Sequence, residues 1–142
     1  IIVFINIIDN TEHMALVKGA IDNDKPILVR VHALDLLSDV LGDQSSNRSG
    51  SELSRAMELI AIDKNGIIIL IRDSSPASLS KNIAQSINQS NHDTYQLRDY
   101  GVGAQILIDL GVKNMTILSN SKKMVKGLEG FGLTIKNWKK LG

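Results

Sequence analysis

The chain has 142 residues, of which 43% are hydrophobic and 22% are charged, a composition typical of one globular domain and not of a disordered segment. Sixteen Lys and Arg side chains against fifteen Asp and Glu give a net charge of +1, which favours neither nucleic acid nor an anionic membrane as a partner. Cysteine is absent, and this excludes disulfides, a cysteine nucleophile and a thiolate-ligated metal site.

Apolar periodicity and turn residues divide the chain into strands and helices. In chain order we predict strands at 1–8, 14–17 and 27–32, a short helix or loop at 34–41, a polar loop at 43–50, a helix at 52–63, a strand at 67–71 and a helix at 79–87. A polar segment at 86–94 follows, then a helix at 98–110, a strand at 115–118, a helix at 122–128 and a strand at 133–135. No apolar run reaches the roughly 20 residues that a membrane span needs.

The order of these elements predicts an α/β layered domain with an antiparallel hairpin at its start, because three strand–helix alternations follow residue 50. Turn residues at 9–12 join the two strands of the hairpin. The strand at 67–71 is apolar without alternation, which is typical of a strand covered on both faces. Gly101 and Gly103 lack the third glycine and the preceding strand of a nucleotide fingerprint, so they indicate close helix packing.

Three collinear blocks resemble GTP cyclohydrolase II, the enzyme that opens GTP in the first committed step of riboflavin synthesis. They are Thr-Glu-His-Met-Ala-Leu-Val-Lys-Gly at 11–19, Leu-Val-Arg-Val-His at 28–32, and Leu-Arg-Asp-Tyr-Gly-Val-Gly-Ala-Gln-Ile-Leu at 97–107, which continues at 110–112, 118–121 and 127–130. Together the blocks cover most of the chain. The resemblance implies one GTP cyclohydrolase II-like domain over residues 1–142, with a mixed sheet flanked by helices.

The residues that ligate zinc in this family are replaced. The family motif Arg-x-His-Ser-Glu-Cys begins here with Arg30 and His32, but Ala-Leu-Asp at 33–35 replaces Ser-Glu-Cys. The second motif, Arg-Cys-Asp-Cys-Gly, falls on Ser-Asn-Arg-Ser-Gly at 46–50, so all three thiolates are lost. Because the zinc supplies the hydroxide that attacks the purine ring, we expect no zinc cofactor and no ring opening that depends on it.

The family's nucleotide-handling residues are mostly absent as well. Its Gln-Glu-Gly-Arg-Gly loop falls on Arg-Asp-Ser-Ser-Pro at 72–76. Its Asp-x-Arg pair supplies a proton acceptor and the proposed nucleophile on the α-phosphate; only Arg98 remains here, since Gln96 replaces the acid. Its Thr-Asn-Asn-Pro-x-Lys phosphate loop reads Ser-Asn-Ser-Lys-Lys-Met at 119–124, so Met124 replaces the final lysine.

Six side chains remain as candidate site residues, and none is assigned as a metal ligand. Arg98 is the vestige of the catalytic pair. The nucleotide-binding remnants are Arg30, His32, Ser119, Asn120 and Lys123. For Arg98 two interpretations stay open: it holds a phosphate together with the residues at 119–123, or it forms a local salt bridge.

A metal site made of oxygen and imidazole ligands is a further alternative. Carboxylates four residues apart stack on one face of a helix, and here they are Asp35, Asp39 and Asp43, with His32 before them. Against this alternative, like charges on a helix face are usually solvated, and no fourth neutral ligand is evident.

The remaining histidines and the basic C-terminal residues are interpreted as surface features. His13 and His92 have no carboxylate and nucleophile around them in the sequence. A solvated basic end, rather than a nucleic-acid patch, is predicted for Lys136, Trp138, Lys139 and Lys140.

The sequence thus predicts a catalytically degenerate GTP cyclohydrolase II domain with a structural, dimerisation or regulatory role for an attached 3,4-dihydroxy-2-butanone 4-phosphate synthase. The alternative is an active enzyme that hydrolyses GTP to a diaminopyrimidine, formate and pyrophosphate. We expect a homodimer, supported by the apolar first strand, a fused synthase domain, and at most weak binding of GTP or phosphate. The first residue is not Met and no signal peptide is present, so we expect a fragment of a longer cytoplasmic protein.

Overall fold

The computed structural model describes residues 1–42, 52–88 and 93–142, so the predicted loop at 43–50 and His92 lie outside the described residues. Within these ranges the elements are β1 (Ile2–Ile5), β2 (Glu12–Lys18), β3 (Ile27–Ala33), α1 (Leu36–Asp39), α2 (Glu52–Ile62), β4 (Gly66–Ile71), α3 (Ser78–Asn88), α4 (Asp93–Asp109), β5 (Asn114–Leu118), α5 (Lys122–Glu129) and β6 (Thr134–Lys139).

The strands of the described ranges form one mixed sheet in the order β1-β2-β4-β3-β5-β6. β1 pairs antiparallel with β2, and β2 pairs antiparallel with β4. β3, β4, β5 and β6 are parallel to one another. The predicted α/β layered domain with an N-terminal antiparallel hairpin is therefore confirmed, and the hairpin forms one edge of the sheet.

Helices cover both faces of the sheet and create two apolar clusters. On one face, α4 and α5 pack on buried side chains that include Val29 and Ile69. On the other face, Ala56 and Ile60 of α2 pack against Ile68. Neighbouring residues of β4 thus belong to different clusters, which confirms that this strand is covered on both sides. β-branched residues suit such a strand because they pack well on both pleated surfaces.

Two glycines allow α4 to approach its neighbours closely, as the sequence predicts. A Cβ atom on Gly103 would lie 2.8 Å from Cγ1 of Val31, a buried residue of β3. A Cβ atom on Gly101 would lie 3.2 Å from Cζ of Phe131, whose side chain is 44% exposed. The contact with Val31 cannot relax without moving the sheet, whereas the ring of Phe131 is free to shift toward solvent.

The first strand is shorter than predicted, because the chain turns directly after Ile5. The N–H of Asn6 donates to the carbonyl of Thr11 at 2.9 Å, and the N–H of Asn10 donates back to the carbonyl of Asn6 at 2.7 Å. Asn10 has φ +57°, a left-handed conformation that asparagine tolerates in turns. Residues 6–10 therefore belong to the turn and not to the strand.

The predicted polar segment at 86–94 is partly helical, which is a correction to the sequence interpretation. α3 extends through Asn88 and α4 begins at Asp93. Polarity alone does not end a helix, and this segment contains neither Pro nor Gly. The large apolar residues left exposed on α3 are Leu79, Ile83 and Ile87. In the part of the chain that the structure describes, no helix is long and apolar enough to cross a membrane.

Two surface interpretations need correction. Lys136, Lys139 and Lys140 are exposed, as a solvated basic end predicts, but Trp138 is half-buried. Trp138 lies in β6, which continues to Lys139, and its Nε1–H donates to the carbonyl of Ser119 at 2.6 Å. Leu141, which follows the strand, is buried. The C-terminal residues therefore form an ordered edge strand, because an aromatic ring and a leucine anchor them. His13 is also buried, since its side chain in β2 lies on the face that α4 covers.

We expect Gly103→Ala to destabilise the chain by about 1–3 kcal/mol, because overpacking against Val31 outweighs the gain in helix propensity. Gly101→Ala is the matched control in the same helix, and it should change the free energy of unfolding by less than about 1 kcal/mol. Urea unfolding followed by circular dichroism measures both values. Equal effects of the two substitutions would contradict the packing described for α4.

Candidate functional site

A cavity of about 260 Å³ lies at the carboxyl ends of β3 and β5. The chain connections diverge between these two strands: α2 leads from β3 to β4 on one face of the sheet, and α5 leads from β5 to β6 on the other. Open α/β sheets bind ligands in the crevice that such a divergence creates. The polar lining residues are Arg30, His32, Ser38, Asp39, Glu52, Asp99, Tyr100, Ser119, Asn120 and Ser121.

The guanidinium of Arg30 is buried at the centre of this site. β3 places Arg30 and His32 on the same face because side chains alternate along a strand. Nη2 of Arg30 donates to Oε2 of Glu52 at 2.6 Å, and Nη1 donates to the carbonyl of Leu118 at 3.2 Å. Glu52 is the first residue of α2, a position that favours a carboxylate. The ion pair neutralises the buried cation.

His32 joins the same network through both ring nitrogens. Nη2 of Arg30 lies 3.3 Å from Nδ1 of His32. A guanidinium can only donate, so Nδ1 accepts and Nε2 carries the proton. The Nε2–H group then donates to the carboxylate of Asp39, at 2.9 and 3.0 Å from its two oxygens. The backbone N–H of Asp35 holds that carboxylate in place at 2.9 Å.

The network keeps His32 neutral. Burial lowers the pKa of His32 below its ordinary value, and the hydrogen bond and charge of Asp39 oppose this only in part. Protonation would place an N–H on Nδ1, directly facing the donors of Arg30. The geometry and the pKa direction therefore agree on one neutral tautomer.

The zinc of the resembled family does not fit this donor set. The chain has no cysteine, and both nitrogens of His32 are engaged. The carboxylate of Asp35 accepts from the N–H of Leu37 at 3.0 Å as the N-cap of α1, so its expected stacking with Asp39 on a helix face is wrong. Asp43 lies outside the described residues. Among the residues that are described, no three His, Asp or Glu side chains are placed to hold a metal ion.

The structure brings four of the six candidate residues together in the cavity: Arg30, His32, Ser119 and Asn120. Oγ of Ser119 accepts from the N–H of Ser121 at 3.0 Å and donates to the carbonyl of the same residue at 3.1 Å. Nδ2 of Asn120 donates to Oε1 of Glu52 at 3.1 Å. Lys123 is exposed and does not line the cavity, so the predicted phosphate grouping is incomplete.

Arg98 lies outside this cavity. It forms an ion pair with Asp9 in the turn between β1 and β2, and its Nη2 donates to Oγ of Ser74 at 2.7 Å. Of the two interpretations, the local salt bridge is the one found. Arg98 and Lys123 therefore do not share a ligand site with the other four candidates in the described structure.

Sequence reasoning missed Glu52 and Asp9, the two acids that pair with the candidate arginines. One signal was present for the first of them. An arginine between buried strand residues needs a carboxylate partner. Which of the fifteen acids supplies it depends on how α2 packs, and no local pattern contains that information.

We expect the free energy of unfolding to fall as the pH decreases from about 7.5 to about 5.5. Burial lowers the folded-state pKa of both His13 and His32 below the 6.5 of an ordinary histidine. The unfolded chain therefore binds protons first, so this stability is complete above the unfolded pKa and is lost as the pH falls through it.

Urea unfolding at several pH values tests this expectation. His13→Asn and His32→Asn should each flatten the pH profile, because each removes one shifted group. A wild-type chain whose stability rises on acidification would contradict it.

Known proteins place the whole chain in one family. The family model of GTP cyclohydrolase II matches residues 1–140. Riboflavin biosynthesis protein RibBA of Bacillus subtilis is 36% identical over 145 residues, which covers 93% of this chain and 36% of that protein. RibBA of Salinispora tropica is 37% identical over 140 residues, 89% of this chain and 35% of that protein.

A plant protein is similarly related. Monofunctional riboflavin biosynthesis protein RIBA 3, chloroplastic, of Arabidopsis thaliana is 36% identical over 141 residues, 90% of this chain and 28% of that protein. The chain thus spans about a third of the length of these relatives. The match over nearly every residue confirms the resemblance of the three sequence blocks, and the chain belongs to the GTP cyclohydrolase II family.

Proposed function

We propose that this chain is a catalytically degenerate GTP cyclohydrolase II domain of riboflavin biosynthesis, with a structural, dimerisation or regulatory role for an attached 3,4-dihydroxy-2-butanone 4-phosphate synthase. The observation that carries the proposal is that four ionisable side chains of the cavity pair with each other. Arg30 pairs with Glu52, and His32 pairs with Asp39. Ring nitrogens and carboxylates engaged in this way are not presented to a nucleotide or a metal.

The charge of the cavity supports the same proposal. The described lining residues include three acids, Asp39, Glu52 and Asp99. Among the same residues, Arg30 is the single lysine or arginine. A triphosphate in this cavity would meet more negative than positive charge, and its attraction to the arginine would compete with Glu52 at 2.6 Å. Met124, which stands where the family has a lysine, adds no charge to the lining.

The proposal includes no zinc cofactor. In the family, zinc supplies the hydroxide that attacks the purine ring. Here the thiolates are missing from the sequence, and the imidazole of His32 is committed to Arg30 and Asp39. The greater length of the relatives named RibBA supports an attached second domain, since the chain matches about a third of each. A cytoplasmic location stays a prediction.

An active GTP cyclohydrolase II is the second candidate function. One observation favours it: the cavity lies at the divergence of strand connections and keeps Arg30, His32, Ser119 and Asn120 together. The two candidates differ in the need for a base and a metal. The base is absent at position 96, where the sequence has Gln96.

We expect the purified chain to release neither formate nor pyrophosphate from GTP, because the acceptor carboxylate, the thiolates and the nucleotide loop are all replaced. Product assays with added zinc measure this directly. The Arg98→Ala variant is purified in the same way and reports contaminating enzyme, since a contaminant is indifferent to this substitution. Turnover that survives repeated purification and disappears in Arg98→Ala would overturn the proposal in favour of the active enzyme.

The two edges of the sheet differ, and the difference supports a structural role in which the chain dimerises through β1. At the β6 edge, Lys136 and Lys139 are exposed, and edge lysines oppose pairing with another strand. β1 has no charged residue, and Val3 and Ile5 are 54% and 60% exposed. Ile7, in the turn that follows, is 91% exposed. An exposed apolar edge strand is stabilised when another protein surface buries it. We propose that a second copy of the chain does so.

Light scattering at micromolar concentration should give about twice the 15.5 kDa chain mass. Ile5→Lys should shift the protein toward the monomer, because it places a charge on the exposed edge. Thr134→Lys, at the opposite edge, is the matched control and should leave the dimer intact. A wild-type mass of 15.5 kDa would remove the dimer and make the attached domain the better candidate for covering β1.

A further inference from the structure

A second polar cluster lies outside the cavity, where the turn between β1 and β2 meets the segment after β4 and the helix α4. Its members are Asp9, Thr11, His13, Ser74 and Arg98. The cluster joins parts of the chain that are distant in sequence, since 89 positions separate Asp9 from Arg98. Nothing in the proposed function uses it.

The carboxylate of Asp9 accepts from two donors. The N–H of Thr11 donates to it at 2.9 Å, and Arg98 forms an ion pair with it. The hydroxyl of Ser74 adjoins this pair, because it accepts from Nη2 of Arg98 at 2.7 Å. The Thr11 N–H is the largest cause that holds the pKa of Asp9 below its ordinary range, and Arg98 acts in the same direction. A backbone N–H and a guanidinium, with one hydroxyl beside them, form the kind of donor set that binds an oxyanion.

His13 supplies an independent indication of a missing acceptor. Its Nδ1 accepts from the N–H of Arg72 at 3.1 Å, so its Nε2 carries the proton. His13 is only 3% exposed, and its buried Nε2–H group has no hydrogen-bond partner among the described residues. The ring lies near the cluster because Thr11 is two residues before His13 in the chain, and Arg72, whose N–H donates to the ring, is two residues before Ser74. A buried donor without an acceptor is costly, and a bound oxyanion would relieve that cost.

We propose that this cluster is an oxyanion-binding site in which the carboxylate of Asp9 occupies the anion position, so that Asp9 keeps small anions such as inorganic phosphate away from Arg98. The guanidinium of arginine binds carboxylate and phosphate through the same planar fork. A carboxylate fixed in the adjoining turn acts at the high effective concentration of an intramolecular group, so it outcompetes dilute phosphate. Removing Asp9 therefore opens the site.

The inference does not rest on the absence of catalysis, because phosphate binding is measured without GTP. Its competitor is a purely structural ion pair, in which Asp9 only ties the turn to α4. The two explanations differ in what removal of the carboxylate does. A structural pair loses stability and gains no ligand, whereas an occupied anion site gains affinity for phosphate.

Titration of the purified chain with inorganic phosphate, followed through backbone amide NMR shifts of Thr11, His13 and Ser74, tests the proposal. Asp9→Asn should bind phosphate at least about 10-fold more tightly than the wild type, the scale expected when an intramolecular competitor is removed. Asp24→Asn removes one negative charge from an exposed turn and should behave as the wild type does. Adding Arg98→Ala to Asp9→Asn should abolish the gain.

Each of three outcomes would overturn the proposal: no tightening in Asp9→Asn, equal tightening in Asp24→Asn, or a gain that survives Arg98→Ala. Circular dichroism and the dispersion of the amide spectrum verify that each variant is folded. If Asp9→Asn does not fold, Asp9→Ala replaces it with the same expected gain and the same contradicting outcomes.

Discussion

The buried guanidinium of Arg30 is the constraint on which the candidate site depends. β3 lies between β4 and β5 and is covered by α2 on the face that carries this side chain, so Arg30 is only 5% exposed. Leaving it without a carboxylate would cost about 3–5 kcal/mol. Glu52 meets it from the first turn of α2. The same helix packs its apolar residues Ala56 and Ile60 on the sheet, so the ion pair and the apolar cluster fix α2 together.

The consequences of this ion pair extend through the cavity. The second oxygen of Glu52 accepts from Asn120, whose own Oδ1 accepts from the N–H of Leu141 at 3.1 Å and so ties down the C-terminal residues. On the other side, Arg30 donates to Nδ1 of His32 and so fixes its tautomer. The Nε2–H group of that tautomer donates to Asp39. The result is a network of internal ion pairs and hydrogen bonds at the position where an open α/β sheet offers its ligand crevice. This network is the physical support for our proposal of a domain that keeps the family fold without the family chemistry.

The sequence predicted what depends on local pattern. The apolar run of β4 indicated a strand covered on both sides, and Gly103 indicated close packing of α4; both are found. Alternation along β3 also explains why Arg30 and His32 lie on one face. These features depend on spacing within a few residues, and the side-chain period of a strand or helix is enough to derive them.

Features that depend on long-range packing could not be predicted. Glu52 is 22 positions from Arg30, and nothing near either residue identifies the other. His13 was interpreted as exposed because no local pattern reveals that α4 covers that end of β2. Arg98 was grouped with the phosphate loop, yet the turn at Asp9 holds it away from the cavity. The family resemblance predicted the fold correctly. It did not reveal which residues of the chain pair with Arg30, His32 and Arg98.

The network at the ligand crevice depends on His32 being a neutral, Nε2-protonated ring with both nitrogens engaged inside the protein. Long-range proton–nitrogen NMR correlation of the histidine rings, recorded without and with one equivalent of zinc, tests it most directly. We expect a neutral Nε2–H tautomer for His32 whose nitrogen shifts do not change when zinc is added. A zinc-dependent shift of one ring nitrogen, with loss of the Nε2 proton, would contradict this expectation and restore a metal centre to the cavity.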